Sequence, residues 1–155
     1  MKSLVVFYSR TGTTKRIGEA LAQLLECDSE EIVDTKKRSG PLGFVSAGRD
    51  AQAKKLTTLV DIKHDPALYD LVILGTPVWG GTLSSAMRTY ISANESKFKR
   101  VAFFCTQGGT DNKQLFDEME ALCEQRPVGT LAVSQEEVKK GTYQDKLRQF
   151  AYRLD

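Results

Sequence analysis

Three short polar segments carry most of the chemistry open to this sequence. The first, Ser9-Arg10-Thr11-Gly12-Thr13-Thr14, gathers four hydroxyls around one glycine. It follows an apolar run and precedes a helical pattern. A helix start offers unpaired amides and a positive dipole end, so hydroxyls placed there suit a phosphate without needing a lysine. Arg10 and Lys15 would add charge. The plainer reading is a turn followed by a helix cap, because serine and threonine favour both.

The second segment, Thr76-Pro77-Val78-Trp79-Gly80-Gly81-Thr82, holds the only tryptophan. Its flat ring between a proline and two glycines would pack against a planar ligand, or else plug the top of the core. The third segment, Cys105-Thr106-Gln107-Gly108-Gly109-Thr110, offers backbone amides at its glycines and polar atoms at Thr106 and Gln107. An ordinary strand-to-helix turn would use the same residues. Taken together, the three describe a ligand with a phosphate tail and a flat polar ring.

Other phosphate chemistries are excluded by what is missing. There is no Gly-x-x-x-x-Gly-Lys-[Ser/Thr] loop and no Gly-x-Gly-x-x-Gly after the first strand. A phospho-accepting domain needs carboxylates at the ends of the first and third strands, which read Tyr8-Ser9 and Gly75-Thr76. A cysteine phosphatase needs an arginine six residues past its cysteine, and the residue six past Cys105 is Asp111. One histidine, His64, and three scattered cysteines argue against a zinc site and a disulfide framework. Cys105 reads either as a redox-sensitive thiol or as a small residue ending a buried strand.

The elements that position these segments alternate. Leu4–Tyr8, Glu30–Val33, Leu71–Gly75, Val101–Cys105 and Thr130–Val133 read as strands, mostly apolar as strands covered on both faces are. Helical faces are set by Ile17, Ala20, Leu21 and Leu24; by Leu83, Met87, Tyr90 and Ile91; by Leu115, Met119 and Leu122; and by Leu147, Phe150, Ala151 and Leu154. Such alternation predicts a doubly wound α/β sandwich of three layers, its five parallel strands in the order 2-1-3-4-5. Ligands of that architecture bind beyond the carboxyl ends of the strands, where all three segments fall. The 155 residues suit one domain spanning 1–155. Asp34–Lys55 is the irregular part, with six Lys/Arg against two Asp and a short helix expected around Arg49–Lys55. Its Lys36, Lys37, Arg38, Arg49, Lys54 and Lys55 form either a solvated surface or an anion-attracting rim.

On Val5-Val6-Phe7-Tyr8-Ser9-Arg10-Thr11-Gly12-Thr13-Thr14, Gly75-Thr76-Pro77-Val78-Trp79-Gly80-Gly81 and Cys105-Thr106-Gln107-Gly108-Gly109, the sequence resembles the flavodoxin family over essentially its whole length. It looks closest to short flavodoxin-like proteins of bacteria and archaea. The resemblance implies a flavodoxin-like fold and non-covalently bound FMN, with the phosphate at Ser9–Thr14. It implies the isoalloxazine at Thr76, Pro77, Val78, Trp79, Gly80 and Gly81, and at Thr106, Gln107, Gly108 and Gly109. It also implies redox chemistry carried by the flavin, in electron transfer or as an oxidoreductase.

Two features depart from the family pattern. Electron-carrier flavodoxins are typically strongly acidic, whereas the net charge here is +2. The third segment has no aromatic residue after Cys105, which leaves one flavin face open to a hydride donor such as NAD(P)H, or to a small substrate. A redox partner protein is the other expected partner. Near-neutral charge gives no case for nucleic acid or a membrane surface, and no apolar run is long enough to span one. The basic-then-apolar start lacks the length of a signal peptide, so a cytoplasmic protein is expected. The contrasting reading is a flavodoxin-fold binding or interaction protein that carries no flavin.

Overall fold

The structure, a computed structural model, describes residues 1–36, 40–109 and 112–155. Lys37 and Arg38 of the basic segment, and Thr110 and Asp111 beyond the third polar segment, lie outside the described residues.

Strands β1 (Ser3–Phe7), β2 (Asp28–Glu31), β3 (Leu71–Trp79), β5 (Val101–Gln107) and β6 (Thr130–Ser134) form a parallel sheet in the order β2-β1-β3-β5-β6. Counting only these five gives the expected 2-1-3-4-5. The sheet also has a two-residue strand, β4 (Thr82–Leu83), which turns back antiparallel on the end of β3.

Side chains alternate across the pleat and split the core in two. Leu4, Val6, Val72, Leu74 and Phe103 face α2 (Gly40–Gln52), α3 (Ser85–Asn94) and α4 (Lys113–Cys123). Val5, Phe7, Leu71, Ile73 and Phe104 face α1 (Thr13–Leu25), α5 (Gln135–Lys140) and α6 (Gln144–Arg153). Three layers result, and the central strands are buried over most of their length because crossover helices cover both faces.

The elements differ from the sequence expectations in several places. The helix of the irregular segment is α2, which ends at Gln52 and so begins earlier and runs longer than Arg49–Lys55. Strand β2 covers Asp28–Glu31 rather than Glu30–Val33, because the ladder with β1 pairs Leu4 with Asp28 and Phe7 with Glu31. Leu83 belongs to β4, and α3 starts at Ser85 behind the cap Ser84, whose Oγ accepts from the Met87 amide (3.1 Å). Finally, α5 was not expected. It is closed by a reciprocal cap between Ser134 and Glu137 and ends at Gly141, which takes φ +71°.

Candidate functional site at the carboxyl edge of the sheet

The chain leaves β1 through Tyr8, whose amide donates to the Gly75 carbonyl (3.1 Å), and then turns sharply. The Gly12 amide donates back to Ser9 Oγ (3.0 Å), and Gly12 takes φ +100°, a conformation few other residues tolerate. Gly12 is also the residue before α1. Having no side chain, it leaves the first-turn amides of α1 uncapped among the described residues.

The first and third polar segments meet beneath this loop. Thr14 and Thr106, both buried, share a hydroxyl–hydroxyl hydrogen bond at 2.7 Å. The register of β3 with β5, which pairs Pro77 with Thr106, brings the second segment alongside. Gly80 and Gly81 both have positive φ, +56° and +82°, and form the two-residue turn between β3 and β4. Thr76 is wholly buried under this hairpin. Its hydroxyl donates to the Pro77 carbonyl (2.8 Å) and accepts from the Ser84 amide (3.0 Å).

Ser9, Arg10, Thr11, Thr13 and Thr14 therefore line one crevice with Pro77, Val78, Trp79, Thr106 and Gln107. Gly12 borders the adjoining groove, which Arg16 and Lys139 also line. Thr76, Gly80 and Gly81 shape the hairpin from behind, and Gly108 lies beside Gln135. Trp79 does not stand free in a loop. It ends β3, is 6% exposed, and packs edge-on against Tyr8 with ring centroids 5.3 Å apart and planes at 85°.

Two crevice residues escaped sequence reasoning, Phe44 of α2 and Gln135 at the start of α5. Gln135 follows the last strand of the sheet, so the carboxyl-end rule that picked out the other three segments reaches it too. Phe44 lay in the segment read as irregular, where no periodicity marked it.

The polar atoms are unequally satisfied. Gln107 is 8% exposed, and its side-chain oxygen is buried with no hydrogen-bond partner among the described residues. A buried acceptor left unpaired is costly, so this oxygen suits an N–H or O–H donor on a ligand. The Cys105 thiol is wholly buried, and burial pushes its pKa up to about 12. It is protonated at neutral pH and fits the small-residue reading, not a reactive thiol. His64 lies elsewhere, with Nδ1 2.9 Å from Glu30 Oε1. Among the described residues no His/Cys/Asp/Glu cluster could hold a metal, and no helix is long and apolar enough to cross a membrane.

Hydroxyls, open amides, one arginine and a buried acceptor thus meet at the switch between β1 and β3, as a phosphorylated, flat, polar ligand requires. The family model for flavodoxin matches residues 2–137. The chain belongs to the flavodoxin family. Among solved structures, it resembles a flavoprotein from Lactobacillus acidophilus NCFM in complex with FMN, at TM-score 0.74 and 22% identity, over 91% of this chain and 98% of that one. The apo-form of the flavoprotein from that organism matches at TM-score 0.61 and 20% identity, over 90% and 95%. Two-electron reduced flavodoxin from Megasphaera elsdenii matches at 0.54 and 21%, over 84% and 85%. At these identities the structural likeness speaks for the flavodoxin fold.

Proposed function

We propose that this flavodoxin-family chain is an FMN-binding flavoprotein that works in electron transfer or as an FMN-dependent oxidoreductase. One observation carries the reading: among the described residues, uncapped amides at the start of α1 and the buried, unpartnered Gln107 oxygen lie at neighbouring parts of one edge of the sheet. The first suits a phosphate and the second a donor on a polar ring, and FMN carries both.

In this reading Ser9, Thr11, Thr13 and Thr14 hold the phosphate through hydroxyls and amides. Gly12 lets the backbone approach it, and Arg10 contributes charge. Pro77, Val78 and Trp79 form the apolar wall for the ring. Thr106, Gln107, Gly108 and Gly109 orient its polar edge, while Thr76, Gly80 and Gly81 keep the hairpin in shape. Bound there, FMN supplies one- or two-electron redox chemistry. Among the described residues, no carboxylate or histidine lines the crevice.

The partner in this reading is NAD(P)H or a redox protein, met in the cytoplasm. A net charge of +2 lacks the long-range acidic field that guides a carrier to basic partners, which favours a small donor. The purified protein is expected to be yellow, or to quench the fluorescence of added FMN. A colourless protein that leaves FMN emission unchanged overturns the cofactor assignment. Anaerobic mixing with NADH or NADPH should bleach the flavin, and failure to bleach with either removes the nicotinamide link.

A further inference from the structure

We propose that Phe44 of α2, and not Trp79, presents the aromatic face against which the flavin ring packs. The proposal rests on the FMN reading above. Trp79 is poorly placed for stacking, because 94% of it is covered and it meets Tyr8 edge-on. The third polar segment contributes no aromatic ring. Phe44 is the other aromatic side chain among the residues that line the crevice, with Pro77 and Val78.

The placement of Phe44 follows from the helix that carries it. The buried positions of α2 are Gly43, Ala47, Asp50 and Ala51, a stripe at spacings of four, three and one. Phe44 lies one residue round from that stripe, on the flank that meets the crevice. It stays 63% exposed even though the Arg10 guanidinium lies over its ring, 5.4 Å from the centroid. An exposed phenylalanine alone would mean little. This one is held by Arg10 of the Ser9–Thr14 loop and lines the same crevice as Gln107. The far end of α2 is also tied to the hairpin, where Gln52 Nε2 donates to the Gly80 carbonyl (3.2 Å). The wall formed by α2 and the wall formed by the hairpin are therefore one linked frame.

An aromatic stack should be visible as a ring effect separate from the phosphate. Titrations of FMN and of riboflavin, read by flavin fluorescence, test this in the full chain. Phe44→Ala is expected to raise the Kd for both by the same factor, roughly 3- to 10-fold. Phe44→Leu, which keeps an apolar side chain on α2, should show a similar loss, and Phe44→Tyr should restore binding. Far-UV circular dichroism unchanged from wild type shows that the fold is intact. Equal affinity in wild type and Phe44→Leu overturns the proposal. So does a loss confined to FMN, which would mean that Phe44 acts only by steadying Arg10 at the phosphate. If wild type binds neither flavin, the cofactor reading itself has failed, and the variants are not needed to see it.

Discussion

Arg88 is buried beside the β3–β4 hairpin, and its guanidinium lies 2.7 Å from Glu118 of α4 and 3.4 Å from Thr82 Oγ1. Burial alone would raise the Glu118 carboxyl, but hydrogen bonds from Arg88, Thr82 and Gln114 outweigh it and hold the pKa below the usual carboxylate value. A carboxyl whose pKa is lowered on folding contributes stability above its unfolded value near 4.5, and loses it as pH falls through the folded value. Glu118→Gln leaves a buried cation short of its partner, so it should cost about 2 kcal/mol at pH 7. The gap to wild type should narrow on acidification below 4.5. Urea denaturation at pH 7 and pH 3 measures both, and a gap that is as wide at pH 3 as at pH 7 rules out this linkage. None of this was legible in sequence, because Arg88 and Glu118 meet only once α3 and α4 are packed together. The place of the Ser9–Thr14 loop was legible, since its residues are contiguous and follow the first strand.

At the scale of elements, legibility followed the size of the buried side chains. Ile17 and Leu21, Met87 and Tyr90, Leu115 and Met119, and Leu147 and Phe150 are buried, and their spacing announced α1, α3, α4 and α6. Helix α2 inverts that signal, with Gly43 and Ala47 inside and Leu42, Phe44 and Val45 outside. Helix α5 carried a readable mark, Ser134 followed three residues later by Glu137, but it is too short to show periodicity. A glycine in β3 makes room for a side chain of β5 under the site. A Cβ on Gly75 would lie 1.9 Å from the ring of its β5 partner Phe104. Gly75→Ala should therefore cost about 3 kcal/mol. Trimming the obstacle should recover part of it, so Gly75→Ala with Phe104→Leu is expected to be less destabilised than the sum of the single changes by roughly 1–2 kcal/mol. Additive single effects in urea denaturation would show that Phe104 is not what Gly75 makes room for.

Across the whole molecule, the strand order was readable because parallel strands require crossovers and few orders satisfy them. The hairpin strand β4 was not, since two residues carry no pattern. The same sheet that buries both core layers sets the three loops side by side, so ligand binding and folding are coupled. A ligand held only by the folded chain stabilises it by about 2.7 kcal/mol at a hundredfold excess over Kd. For a chain of 155 residues, that corresponds to a rise in Tm of roughly 5–11 °C. FMN should give a rise of this size. Riboflavin at the same concentration should give a clearly smaller one, because it leaves the Ser9–Thr14 hydroxyls and the first amides of α1 without a phosphate. Equal rises with the two ligands would mean that the loop is only a turn into α1 and that the ring alone is recognised.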